Sequence, residues 1–154
     1  MISIQKLVFF IAVTLALSCA AQKNSQPAIN QGVYGTVRWL EGNLMPSPDE
    51  PNLGKGKAVQ RQLLIYKAVN FSSVEGQAPL FKKINAVLVK KVKSNNKGIF
   101  SCELPDGVYS VFTVEPSGEF FANNFDGNGF INTVKVEQGK VSEMKIEINY
   151  KAAY

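Results

Sequence analysis

Two cysteines, dispersed acids and a complete absence of histidine define the chemistry open to this chain. Histidine is the commonest general base and metal ligand, so its absence excludes Ser-His-Asp and Cys-His catalysis, HExxH metalloproteases and ordinary zinc sites. A hydrolase would instead need two carboxylates brought together by folding, because the acids are isolated in sequence. Among the twelve acids are Glu41, the neighbours Asp49 and Glu50, Glu75, Glu103 and Asp106. We therefore predict no catalytic residue, no cofactor and no enzyme activity.

Cys19 directly follows a segment with the layout of a secretory signal peptide. Lys6 supplies a positive charge, residues 7–17 form an apolar run with one threonine, and the small residue Ser18 comes next. At about 1.5 Å per residue, this run is far shorter than the ~30 Å hydrocarbon core that a transmembrane helix must cross. Residues 1–18 are therefore predicted to be a cleaved leader.

The motif Leu17-Ser18-Cys19 resembles the lipobox of bacterial lipoproteins. The resemblance implies that Cys19 is cleaved free and acylated, which makes it the lipidated N-terminus of the mature protein. Each buried methylene contributes about 0.8 kcal/mol, so two or three acyl chains hold a protein on a membrane where one would not. Ordinary signal-peptidase cleavage after Ala20 or Ala21 is the alternative, because Ser18-Cys19-Ala20 also ends in a small residue.

Residues 19–32 are predicted to be a flexible tether between the membrane and a domain. They are polar, contain Pro27 and show no hydrophobic period. Some lipoproteins carry an acidic surface-export signal here, whereas this segment has Lys23 and no acid. The resemblance therefore implies an envelope protein anchored in the outer membrane and facing the periplasm, with the cell surface as the alternative.

Residues 33–154 have the pattern of short strands separated by turns, which predicts an all-β sandwich of about seven strands. A helix is the alternative over residues 81–88, but three valines between residues 87 and 92 favour a strand. Residues 42–60 form a long connection rich in Pro and Gly, and residues 71–83 are predicted to hold a short helix or turn. The strands are predicted at residues 33–40, 62–70, 86–93, 99–104, 108–115, 131–137 and 141–150.

Two turns and a cysteine lie in the centre of this domain. Residues 94–98, SNNKG, predict a hairpin loop, and residues 105–107, PDG, predict a tight turn. Cys102 alternates with polar neighbours on the apolar face of a strand, so we expect a buried, inert thiol. If Cys19 carries lipid, Cys102 has no partner for a disulfide within the chain.

Residues 92–111 resemble the core of carboxypeptidase regulatory-like domains, which have a transthyretin-like, Greek-key β-sandwich fold. The residues that match the family pattern are Asn96, Gly98, Phe100, Pro105, Gly107 and Tyr109. The resemblance covers most of residues 33–115 and implies a fold more than a function, because such domains are mostly accessory modules. Hydroxyisourate hydrolase shares that fold, but it requires histidines and a C-terminal Tyr-Arg-Gly-Ser that this chain lacks.

Residues 120–132, FFANNFDGNGFIN, allow three interpretations. Asn124, Asp126 and Asn128 match positions 1, 3 and 5 of an EF-hand calcium loop, but Lys135 stands where the bidentate glutamate belongs. We therefore predict no tight calcium binding; the other interpretations are a Gly-Asn turn between strands and a binding loop. Any aromatic ring left exposed would be a candidate partner contact. The candidates are Phe120, Phe121, Phe125 and Phe130.

The net charge of +5 is too dispersed to predict nucleic-acid binding, which calls for a dense basic patch with interleaved aromatics. We expect a lipid-anchored, non-enzymatic binding or structural module whose ligand is a partner protein of the envelope. A solute- or glycan-binding lipoprotein is the second hypothesis and an envelope hydrolase the third. A concave aromatic pocket would favour a solute, and a flat apolar patch would favour a protein.

Overall fold

The computed structural model of the protein describes residues 29–45 and 53–154. The predicted leader, Cys19 and most of the predicted tether lie outside the described residues, and so does the centre of the 42–60 connection. No helix among the described residues is long and apolar enough to cross a membrane.

The described residues contain eleven strands and two short 3-10 turns, at Leu53–Lys55 and Phe71–Ser73. The predicted all-β fold is confirmed. Four strands were not predicted, because β2, β4, β5 and β9 are too short or too irregular to show a period. In chain order the strands are β1 (Gly32–Asn43), β2 (Lys57–Ala58), β3 (Gln62–Lys67), β4 (Val74–Gln77), β5 (Leu80–Ile84), β6 (Leu88–Lys93), β7 (Ile99–Glu103), β8 (Gly107–Val114), β9 (Phe120–Phe121), β10 (Thr133–Val136) and β11 (Val141–Ala153).

The strands form a four-stranded and a seven-stranded sheet. In the smaller sheet, β1 pairs with β11 on one side and with both β7 and β2 on the other. The larger sheet has the order β4-β5-β9-β8-β3-β6. β10 pairs with the first half of β8, whereas β9 pairs with the end of β8. The first and last strands run parallel, which needs a long crossover and here ties the two ends of the domain together.

The prediction of a hairpin at residues 94–98 is wrong. The turn forms, with the Asn95 side-chain oxygen accepting the N–H groups of Lys97 and Ile99. However, β6 pairs with β3 in the larger sheet and β7 pairs with β1 in the smaller one. A Cβ on Gly98, whose φ is +73°, would lie 2.3 Å from the Val37 carbonyl oxygen, so glycine is required there. Turn residues specify the reversal but not the sheet that each flanking strand joins.

The main core lies between the two sheets and contains one face of β11, where period-two spacing predicts that Met144, Ile146, Ile148 and Tyr150 point inward. Tyr150 is partly buried against this core. Met144, Ile146 and Ile148 are buried, and the predicted burial of Cys102 is confirmed at 3% exposure. Burial raises the pKa of the Cys102 thiol, because a thiolate loses hydration there. The cluster comprises Val33, Val37, Leu63, Ile65, Phe100, Cys102, Leu104, Tyr109, Val111, Phe121, Val134, Val136, Met144, Ile146 and Ile148.

A second apolar cluster covers the outer face of the larger sheet. β8 supplies both clusters, since Tyr109 and Val111 face the smaller sheet whereas Phe112 lies in the outer cluster. The Phe112 ring makes edge contacts with Tyr66 and Phe81, with centroid distances of 5.9 and 6.0 Å. The other members come from β3, β5 and the connections that follow β3 and β9. The outer cluster comprises Leu64, Tyr66, Val69, Phe81, Phe112, Ala122 and Ile131.

The Pro-x-Gly-x-Tyr spacing has a local structural role at the crossing from β7 to β8. The fully buried Tyr109 donates its hydroxyl hydrogen to the Pro105 carbonyl oxygen at 3.0 Å. Lys67 places its ammonium group 4.8 Å from the centroid of the same ring. The hydroxyl therefore fastens the turn that carries the chain from one sheet to the other.

Candidate binding surface

The structure separates the four phenylalanines of residues 120–132 into anchors and an exposed ring. Phe121 is fully buried in the main core, and Phe120 is partly buried against the outer cluster. Phe130 is also partly buried, whereas Phe125 is 38% exposed. Phe121 therefore offers no surface to a partner, and Phe125 offers the most among these four.

Phe125 pairs with Phe71, a residue that the sequence analysis did not single out. Their ring centroids lie 5.2 Å apart at an interplanar angle of 38°, and Phe71 is 47% exposed. The Phe71 ring also lies 6.4 Å from the buried ring of Phe81. We call Phe71 and Phe125 the aromatic patch. No spacing in the sequence connects these two positions, because the fold alone brings them together.

The Phe71 side of the patch is held by a short hydrogen-bonded turn. The Asn70 side-chain oxygen accepts the hydroxyl hydrogens of Ser72 at 2.7 Å and Ser73 at 3.1 Å. Asn70 also forms an isolated antiparallel bridge with Phe130. The two connections that carry the patch are thus joined to each other through their backbones.

The Phe125 side is held by Asp126, whose carboxylate organises the next turn. Asp126 Oδ1 accepts the backbone N–H groups of Asn128 at 2.9 Å and Phe130 at 2.8 Å. Asn124 accepts the N–H of Asn132 through its backbone carbonyl. Asp126 is therefore engaged in a backbone turn, as in the Gly-Asn turn interpretation. Across residues 29–45 and 53–154, no three acidic or cysteine side chains gather into a potential metal site.

Two depressions on the described surface have mixed polar and apolar linings and include neither ring of the aromatic patch. The first encloses about 680 Å³ beside the 94–98 turn, and the second about 480 Å³ on the smaller sheet. Lys93, Asn95 and the largely buried Phe100 are among the residues that line the first, and Arg38 and Lys145 are among those that line the second. The exposed rings therefore form a surface patch outside both concavities.

Glu115 is a buried acid that the sequence analysis treated only as the end of a strand. Its side chain is fully buried and forms an ion pair with Arg61, whose side chain is 18% exposed. Arg61 Nε lies 3.2 Å from Oε2, and the hydroxyls of Thr113 and Tyr150 donate to Oε1 and Oε2 at 2.9 and 3.1 Å. The Arg61 guanidinium lies 5.7 Å from the Trp39 ring centroid. The sequence offered only one sign of this role, namely that an acid directly follows the apolar strand β8.

This buried network connects elements of both sheets. Glu115 follows β8 of the larger sheet, whereas Trp39 and Tyr150 belong to β1 and β11 of the smaller one, with ring centroids 5.0 Å apart. No buried side-chain nitrogen or oxygen of the described residues lacks a hydrogen-bond partner. A carboxylate with no exposed surface and three donors contacts no substrate in this conformation, so we interpret Glu115 as a structural ion-pair residue.

Comparison of the chain with protein-family models, with curated proteins and with solved structures found no match.

Proposed function

We propose that this chain is a lipid-anchored protein of the cell envelope, with a carboxypeptidase regulatory-like, transthyretin-like domain that binds a partner protein without catalysing a reaction. The observation that carries the proposal is the aromatic patch. Phe71 and Phe125 are both exposed and lie outside the two depressions.

The patch has the composition of a protein contact. Aromatic rings supply large contact areas with few rotatable bonds, and they dominate the binding energy of many interfaces. The base of this patch is fixed, because Phe71 packs on Phe81 and Asp126 closes the adjoining turn. The exposed amides of Asn124 and Asn128 supply polar groups at its rim. Little ordering of the loop is then needed when a partner binds.

A glycan is the second candidate ligand, because exposed rings flanked by amides also fit the apolar faces and hydroxyls of a sugar. The position of the patch outside both depressions favours a flat protein surface instead. Inhibition of partner capture by soluble envelope glycans would favour the glycan hypothesis.

The anchor is supported by the sequence of the leader and by Cys19 within its lipobox-like motif. Mass spectrometry of the membrane-extracted protein should find acyl chains on Cys19. A Cys19→Ala protein should leave the membrane fraction. Unchanged fractionation of that variant would contradict the lipid anchor.

Photocrosslinking and pull-down from detergent-solubilised envelopes test the binding role. The unsubstituted protein and Met45→Ser, which changes an exposed apolar residue elsewhere, should capture the same partner. Phe71→Ser/Phe125→Ser should lose that partner while still unfolding cooperatively, with a midpoint lowered by no more than about 10 °C. Equal capture by the double variant would contradict the proposed contact.

A further inference from the structure

The chain enters the domain at one end of the two sheets, which we call the entry end. Gly32, the first residue of β1, lies opposite Val141 and Glu103. The Gln31 side chain donates to the Leu104 carbonyl oxygen at 3.0 Å and accepts the Gly139 N–H at 2.8 Å. These bonds hold Gln31 at the entry end.

Exposed apolar side chains collect at this same end. Val141 lies opposite Gly32, and Val108 follows the first residue of β8. The carbonyl of Val87 accepts the N–H of Lys67. Lys67 lies opposite Tyr109, the residue that follows Val108 in the chain, so Val87 and Val108 lie at the same end. Four of the nine large apolar side chains exposed in the described part of the chain lie at or near the entry end. They are Val87 at 73%, Val108 at 44%, Val141 at 43% and Leu88 at 38%.

Lysines surround these apolar side chains. Lys67 and Lys90 lie on the larger sheet, and Lys90 donates to the Glu103 carbonyl oxygen at 3.1 Å. On the other side, Lys135 and Lys140 both form ion pairs with Glu137. Acids lie at or near this end too, namely Glu103, Asp106, Glu137 and Glu143. Apolar side chains that project among lysines match the boundary between acyl chains and headgroups, where long cationic side chains reach the polar layer.

The length of the preceding segment keeps this end near any lipid on Cys19. Cys19 and Gly32 are thirteen residues apart, so a flexible chain has a root-mean-square span of about 20 Å between them. A contact at the entry end would then be intramolecular with the anchor and would need little affinity of its own. The opposite end presents fewer exposed apolar side chains, Met45 and Tyr154, together with exposed polar residues such as Ser117 in the turn after β8.

We propose that the entry end rests on the bilayer that holds the lipid of Cys19, with Val87, Leu88, Val108 and Val141 at the acyl boundary. This inference rests on the proposed lipid anchor. The occupant of this surface is a phospholipid surface and not a second protein. It fixes the orientation of the domain, so that the turn after β8 points away from the membrane.

Depth-dependent quenching in proteoliposomes tests this orientation with the full, lipidated chain. Single cysteines at Val87→Cys, Val108→Cys and Ser117→Cys receive an environment-sensitive fluorophore. The unsubstituted protein measures background labelling, which we expect to be slow because Cys102 is buried and its thiol pKa is raised. The vesicles contain phosphatidylethanolamine and phosphatidylglycerol, with a fraction of nitroxide-labelled lipid as the quencher.

The expected result is a loss of fluorescence and a blue shift at positions 87 and 108, with neither at 117. A label at Val141→Cys should lose its quenching when Val87→Asp/Val108→Asp is added. Closeness to the membrane through the lipid anchor alone would leave this quenching unchanged, so the loss shows contact through apolar side chains. Equal quenching at all three positions, or none, in protein that floats with the vesicles would overturn the orientation and leave the anchor intact. Protein that neither carries acyl chains nor floats would overturn both.

Discussion

Both faces of the larger sheet carry apolar side chains, but different kinds of structure cover the two faces. A second sheet closes the inner face, and Phe121 and Tyr109 there are completely buried. Only connections between strands cover the outer face, which buries Phe81 and Phe112 but leaves Phe71 and Phe125 partly exposed. A sheet covers its neighbour continuously, whereas irregular segments leave gaps at their edges. Binding surfaces arise at such gaps, because side chains there are held in place by packing and yet are not fully buried.

Phe121 and Phe125 provide the sharpest test of this comparison, because these identical residues lie only four positions apart, one in β9 and the other in the connection that follows it. Phe121→Ala should lower the free energy of unfolding by about 3–5 kcal/mol, since it opens a cavity in the main core. Urea denaturation of the full chain in detergent measures this loss. A loss no greater than that of Phe125→Ala would contradict the difference between the two covers.

The buried ion pair between the sheets should produce the next largest effect. Arg61→Ala leaves the fully buried Glu115 carboxylate without its cation, and the unfolding free energy should fall by about 3 kcal/mol. Arg61→Met/Glu115→Leu should recover part of this loss, because it removes the buried charge together with its partner. A double variant less stable than Arg61→Ala would show that the network stabilises the fold beyond charge pairing.

Sequence patterns predicted the long strands well and the short ones poorly, for a physical reason. The inward residues of β11 and the burial of Cys102 follow from a period of two, which needs several residues to appear. β9 contains Phe120 and Phe121 alone, so no period exists to detect. The sheet that each strand joins depends on distant partners, which explains the wrong hairpin at residues 94–98.

The candidate surface was only half predictable from the sequence. Phe125 stood out because it lies in an aromatic-rich loop with turn residues. Phe71 did not, because its exposure and its contact with Phe125 depend on how two connections meet across the outer face. Glu115 was likewise invisible as an ion-pair residue, since Arg61 comes from a different strand boundary.

The crossing between the two sheets should produce a smaller effect. Tyr109→Phe keeps the buried ring but removes the hydrogen bond to the Pro105 carbonyl, which should cost about 0.5–1.5 kcal/mol of stability. Chemical denaturation measures this, and Tyr34→Phe in strand β1 is the matched control. A loss of unfolding free energy smaller in Tyr109→Phe than in Tyr34→Phe would contradict the structural role of the Pro-x-Gly-x-Tyr spacing.

The aromatic patch should contribute less to stability than any buried ring. Phe71→Ala and Phe125→Ala should each lower the unfolding free energy by about 1 kcal/mol, because both rings keep much of their surface in water. A double-mutant cycle should show a coupling of about 0.5 kcal/mol between them, as expected for neighbouring rings. Losses near those of Phe121→Ala would assign both rings to the core.

The smallest effect concerns two tyrosines, Tyr66 in the outer cluster and Tyr150 of β11, which packs against the main core. Burial raises the pKa of Tyr66 in the outer cluster. It also raises the pKa of Tyr150, where the negative charge of Glu115 and the hydrogen bond to it act in the same direction. Both hydroxyls therefore keep their protons in the folded protein at a pH where the unfolded chain has lost them.

The sign of the pH dependence follows from this difference in proton binding. Above the ordinary tyrosine pKa of about 10, the unfolded state binds fewer protons, so stability should fall as the pH rises toward the folded-state pKa values. Tyr150→Phe and Tyr66→Phe should each make this decline shallower, as measured by urea midpoints between neutral and alkaline pH. Glu115→Gln should make the decline shallower only where Tyr150 is present, because it removes the charge that Tyr150 faces. A decline unchanged by Tyr150→Phe would mean that water reaches this end of the inner face, and the contrast between the two covers would then be confined to the centre of the sheet.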